Sequence, residues 1–113
     1  MTVSKDLVAA SATPLILSIL SEGESYGYAI IKRVHELSGG KMQWTDGMLY
    51  PVLHRLEKQK LIQSTWRESK TGRRRKYYQI KKTGTQVLRE QRSQWMLVHS
   101  VLERLWEKQT CLT

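Results

Sequence analysis

The seven residues Lys70-Thr71-Gly72-Arg73-Arg74-Arg75-Lys76 carry five cations around one glycine. Guanidinium and ammonium groups at this density neutralise anions, and the planar fork of Arg can grip a pair of phosphate oxygens. A second group able to donate and accept lies upstream, in Gly47-Met48-Leu49-Tyr50-Pro51-Val52-Leu53-His54-Arg55-Leu56-Glu57. Charge is concentrated around both. Residues 41–82 hold twelve Lys/Arg against three Asp/Glu, so the whole formal charge of +9 falls in the middle third of the 113-residue chain. A field of one sign in one place attracts a polyanion. A solvated basic loop is the plainer explanation of a lone cationic run, but this one sits between two segments patterned as strands.

Other chemistry finds no support. His35, His54 and His99 are far apart and have no metal-ligand spacing. No phosphate loop, nucleophile motif or paired carboxylate stands out, so neither catalysis nor a metal or cofactor is expected. Cys111 has no second cysteine to pair with. It is read as an incidental thiol in a reducing compartment. The longest apolar run, around Leu15–Leu20, is far below the roughly 20 residues of a membrane span. The N-terminal residues lack the pattern of a signal peptide, so a cytoplasmic location and no membrane contact are expected.

The elements that must position these groups follow from periodicity. Thr13-Pro14 is suited to open a helix whose Leu15, Ile16, Ile19 and Leu20 face a core, with Leu7 and Val8 in a short helix before it. Ser25 is expected to cap a second helix over 26–38, with Tyr26, Ile30, Val34 and Leu37 along one side and Gly39-Gly40 as its stop. Thr45 or Asp46 caps a third helix. There Leu49, Leu53 and Leu56 face inward, while Gly47, Tyr50, Pro51, His54 and Lys58 face outward with Arg55 at the margin. Pro51 removes a backbone donor and is expected near the N-terminus of this helix, with some distortion.

Leu61 to Trp66 and Tyr78 to Ile80 alternate as strands, and Ile62, Ser64 and Trp66 share a face. Ser69 to Arg75 joins them as a long and flexible tip. Thr83-Gly84-Thr85-Gln86 has the form of a capping box for a last helix reaching about Lys108. On that helix Leu88, Trp95, Val98, Leu102 and Leu105 repeat at heptad spacing, interrupted by Gln91 and broadened by Val87, Leu97, Val101 and Trp106. So wide a stripe exceeds what a small domain can cover, and a second copy of the helix is the economical partner. Folding back on its own core is the alternative.

The expected fold is therefore mainly α with a small β-hairpin. It is a winged helix-turn-helix over 1–82 followed by a long dimerisation helix over 83–113. A helix followed by a cationic hairpin suits a duplex: the helix enters the major groove and the wing touches phosphates. The expected contacts are Thr45, Gly47, Met48, Tyr50, Pro51, His54, Arg55 and Lys58 from the helix, and Lys70, Arg73, Arg74, Arg75 and Lys76 from the wing. The expected homodimer interface comprises Leu7, Val8, Leu88, Gln91, Trp95, Val98, Leu102 and Leu105. A basic RNA-binding or protein-interaction module is the other reading, kept open by Tyr77 and Tyr78 on a strand.

Several motifs together resemble the PadR family of bacterial transcriptional regulators. They are Leu17 to Leu20, Tyr26-Gly27-Tyr28-Ala29-Ile30, the Gly47 to Glu57 run, Leu61-Ile62, Gly72-Arg73-Arg74-Arg75-Lys76-Tyr77-Tyr78 and Thr83-Gly84. The likeness covers roughly residues 5–107 and is similar to the subfamily with a short single C-terminal helix. Met48 stands where the family typically carries Thr or Ser. The resemblance implies a homodimeric repressor on an inverted-repeat operator of double-stranded DNA, released by a small molecule or another cue. It also implies a place for planar aromatic effectors between Trp side chains of the last helix. Trp95 stands at about the matching position, with Gln91, Gln94 and His99 a turn away as polar contacts.

Overall fold

The computed structural model describes residues 1–112, with side chains as far as Lys108. Cys111, read above as an incidental thiol, lies outside the described side chains. The elements run α1 (Lys5–Ser21), β1 (Ser25–Tyr26), α2 (Gly27–Leu37), α3 (Asp46–Lys58), β2 (Ile62–Glu68), β3 (Arg74–Ile80) and α4 (Lys82–Leu112).

Helix α1 is the central post. It buries Ala12, Ile16, Leu17, Ile19 and Leu20, which surround more than one face, and it packs against α2, α3, α4 and β3. Here the sequence expectation of two helices is corrected. Pro14 lies inside one continuous helix that starts at Lys5, and Ser4 accepts the Leu7 N–H as its N-cap. Removing one backbone bond costs about 3 kcal/mol in a helix interior. Burial of Ala12 and the packing of Val8 against the core offset that cost and carry the helix through.

Two further expectations fail on α2. Ser25 does not cap it; Ser25 and Tyr26 form a short strand paired with Tyr78 and Tyr77 of β3. The sheet therefore has three antiparallel strands in the order β1-β3-β2, not a lone hairpin. Leu37 is exposed rather than core-facing, while Ile30 and Val34 are buried as expected.

Helix α3 follows the pattern closely. Thr45 caps it by accepting the Met48 N–H at 3.2 Å, and Leu49, Leu53 and Leu56 are fully buried. Its C-terminus closes with Lys60 N–H on the Glu57 carbonyl and Leu61 N–H on the Leu56 carbonyl. Lys60 takes the left-handed conformation, φ 63°, that this stop requires.

The wing strands are longer than the periodicity indicated, with Glu68 opposite Arg74 as the last pair. Arg74 and Arg75 belong to β3 rather than to a loose tip. The connection is a closed turn in which Gly72, at φ 83°, donates to the Ser69 carbonyl at 3.0 Å. The expected capping box is also replaced. Helix α4 begins at Lys82, and Thr83 donates its hydroxyl to the Lys60 carbonyl. Gly84 lies so close to the Leu61 carbonyl that a Cβ there would also stand 2.8 Å from Ile80 Cγ1. These contacts root α4 on the joint between α3 and β2. From there its 31 residues extend for about 46 Å, giving the protein extents of 60 × 30 × 21 Å.

Candidate nucleic-acid interface

The outward side of α3 and the wing flank one cleft of about 750 Å3, lined by Tyr26, Gly27, Tyr28, Tyr50, Trp66, Arg73, Arg74, Arg75, Lys76 and Tyr78. Cations and aromatic rings alternate across it because cross-strand register stacks them. Arg75 lies 4.4 Å from the centre of the Tyr26 ring, and Arg74 lies 5.5 Å from that of Trp66. A guanidinium over an aromatic face is held in place without losing its charge. Lys70 and Arg73 at the tip are exposed.

Other cations nearby are committed to protein carboxylates. Arg67 pairs with Glu24 and covers Tyr77 at 4.1 Å. Glu24 also accepts from Gln79 at 2.9 Å, and its pKa lies below the usual carboxylate value because of the Arg67 and Gln79 bonds. Lys76 lies 3.6 Å from Glu57 Oε1, while Ser64 donates to Glu57 Oε2. Glu57 thus ties the last turn of α3 to both wing strands. Burial first, then the charge of Glu57 and the neighbouring Tyr50, push the Tyr78 phenol up to about 12.

The residues expected from the sequence as contacts fall into four groups. Tyr50, Pro51, His54, Lys58 and Gly47 are exposed on α3, and Lys70, Arg73 and Arg74 are exposed on the wing, while Arg75 and Lys76 are half-buried there. Thr45 spends its hydroxyl on capping. Met48 and Arg55 lie on the other flank of α3, lining a second cavity of about 720 Å3 with Val3, Val8 and Trp44, and Arg55 donates to Thr13 at 2.9 Å. Tyr26, Tyr28 and Trp66 were not foreseen as part of this surface. The alternation of aromatic and cationic residues across strands was the available signal, but it needed the register. Tyr78 is 3% exposed, and Tyr77 is covered by Tyr26 and Arg67, so the sheet does not offer these two rings as a stacking platform for single-stranded bases.

The far half of α4 has a different character. Met96, Leu97, Val98, Val101, Leu102, Leu105 and Trp106 are exposed, with Leu97 at 65%. Nearer the root, α1 and α4 enclose an apolar groove of about 440 Å3, lined by Val3, Leu7, Leu15, Met42, Leu88, Arg92, Trp95 and Met96 among others. Trp95 and Leu7 sit there, while Val8 faces the cavity beside Trp44. Gln91 is half-buried, Gln94 is exposed, and His99 pairs with Glu103 at 2.9 Å; none of these three lines the groove. Among the described residues no cluster of three His, Cys, Asp or Glu could hold a metal, and no helix is long and apolar enough to cross a membrane.

A helix that exposes a mixed polar face beside a cationic hairpin, on a three-helix core, is a winged helix-turn-helix of the DNA-binding type. The comparisons give the family. Residues 16–90 match the transcriptional regulator PadR-like family, and the chain belongs to it. The transcriptional regulator YqjI of Escherichia coli is 37% identical over 91 residues, which is 80% of this chain but only 41% of that protein. An uncharacterized protein X of Lysinibacillus sphaericus is 29% identical over 105 residues, covering 93% of this chain and 96% of the relative. Among solved structures, a transcriptional regulator from Clostridium thermocellum superimposes with a TM-score of 0.80 at 31% identity, covering 88% of this chain and 97% of that one. A PadR family regulator from Eggerthella lenta gives 0.77 at 33% identity, with 90% and 87% covered. The chain is a DNA-binding transcriptional regulator and not an enzyme.

Proposed function

We propose that the chain acts as a cytoplasmic homodimeric repressor that reads an inverted-repeat operator. The observation that carries this reading is the shared cleft: Tyr50 on the exposed face of α3 and Arg73, Arg74 and Arg75 of the wing line the same space. In this reading Tyr50 and His54, with Gly47 allowing close approach, meet base edges in the major groove. Lys70, Arg73, Arg74 and Arg75 neutralise phosphates on the flank. The exposed row from Val98 to Leu105 supports pairing of two α4 helices, joined by Leu88, Gln91, Trp95 and the Leu7-Val8 segment. A two-fold pair of recognition helices then matches two half-sites about one helical turn, roughly 34 Å, apart.

Release by a planar aromatic molecule is supported by Trp95, which is 39% exposed at the mouth of an apolar groove. A guest stacked on this ring at the two-fold seam would favour one separation of the helices over another. That differential affinity is what release requires. Mapping the DNA bound across the genome tests the operator, with a palindromic consensus as the expected result. Fluorescence titration with planar aromatics tests the guest: quenching should vanish in Trp95→Ala. Quenching unchanged in the mutant would remove Trp95 from the site.

A further inference from the structure

Gly27 opens α2 and is buried, yet its backbone lies outside the left-handed region that favours glycine. Alanine would suit a helix better at such a position. What stands in the place of a side chain is the phenol of Tyr50, the far end of a half-exposed side chain that would have to move aside. A Cβ on residue 27 would stand 2.8 Å from Tyr50 Cζ and closer still to the hydroxyl oxygen. The end of the Tyr50 ring therefore rests directly on the backbone of α2. Tyr50 itself is 44% exposed on the outer face of α3 and forms one wall of the cleft beside the wing.

We propose that Gly27 is a positioning residue for sequence preference: by lacking a side chain it seats the Tyr50 phenol against α2, fixing where α3 presents that ring to DNA. This inference rests on the operator reading above and deepens it. Neither residue carries a charge, and neither takes part in the ion pairs that set the wing. Lifting the ring off residue 27 therefore leaves the phosphate contacts alone and moves only the discriminating contact. Affinity for arbitrary duplex and its salt dependence stay fixed, while the margin between preferred and scrambled duplex shrinks.

The test begins with the full-length wild-type chain selecting from a random-sequence duplex pool. The ratio of its affinities for a selected and a scrambled duplex is then measured for wild type, Gly27→Ala, Tyr50→Ala and the double variant. Gly27→Ala should lower the ratio about 5- to 100-fold, the range of one discriminating side-chain contact. Its salt slope should match wild type, and the double variant should have the ratio of Tyr50→Ala alone, because both changes remove the same contact. A wild-type ratio in Gly27→Ala, or losses that multiply in the double variant, would overturn the proposal. If Gly27→Ala melts early, its ratio is measured below its melting temperature beside wild type at the same temperature, and the same two outcomes decide the matter. A wild-type chain that enriches no sequence overturns the operator reading itself, and this inference with it.

Discussion

The wing and the outer half of α4 are both exposed arms of this small protein, finished by different means. In the wing every strand residue has a cross-strand neighbour, three arginines rest on aromatic rings, and Arg67 and Lys76 are also met by carboxylates. The cations left exposed are at ease in water and need nothing further from the chain. The outer half of α4 exposes Leu97, Val98, Val101, Leu102 and Leu105 to water. Exposed charge is a finished surface, whereas a continuous apolar row is half of an interface. One arm is complete within a single chain; in the proposed dimer the other is completed by a second copy.

Changing each arm separately tests that contrast. The largest effect is expected for Leu102→Glu. A charge placed in a dry helix seam costs on the order of several kcal/mol, so sedimentation should show loss of the dimer while the winged domain stays folded. A mutant that remains dimeric would mean that the apolar row lies outside the contact. Next comes replacement of Arg73, Arg74 and Arg75 by Ala. Each phosphate contact adds about 0.9 to the slope of log affinity against log salt, so the slope should fall by about 2 to 3 units on any duplex. An unchanged slope would mean that the wing does not clamp phosphates.

The third prediction concerns how the wing sheet is finished. The Tyr78 phenol titrates near 12 when folded and near its ordinary 10.0 when unfolded. Its burial in the neutral form therefore contributes stability that is fully present below pH 10 and is lost as pH rises toward 12. Two units correspond to about 2–3 kcal/mol. Denaturant unfolding should lose about that much more in wild type than in Tyr78→Phe over this window; equal losses would mean that the phenol is not sheltered. The smallest change is Lys60→Gly. Lys60 holds a left-handed conformation that costs a side-chain-bearing residue about 1–2 kcal/mol, partly offset by the greater freedom of an unfolded glycine. A net gain of about 0.5–1 kcal/mol should raise the melting temperature while leaving the oligomeric state unchanged.

The legible parts of this molecule were those governed by local rules. Leu49, Leu53 and Leu56 at helical spacing, with Thr45 in front, determine α3 almost alone, and the alternation from Ile62 places a strand. What was not legible depended on partners distant in sequence. Ser25-Tyr26 becomes a strand only because Tyr77 and Tyr78 are there to pair with it. The helix-breaking tendency of Pro14 is overridden because residues on both sides of it pack into the same core. Thr83 has the local form of a cap, but the Lys60 carbonyl stands nearer. In the candidate interface the cations were plain from composition. Which of them are free was not, because Arg67 and Lys76 are met by Glu24 and Glu57, residues 43 and 19 positions away.

The rooting of α4 has a mechanical consequence. Gly84 lies against the carbonyl of Leu61, where a Cβ would collide, and the Leu61 N–H closes the last turn of α3. The helix is thus a long arm whose root lies on the joint that follows α3. From Gly84 to Leu102 the arm is about 27 Å at 1.5 Å per residue, so a sideways step of about 1 Å at Leu102 turns the root by about 2°. In the proposed dimer, repacking at the far end would reach the joint between α3 and β2 as a small rotation, because Gly84 lies against Leu61 there.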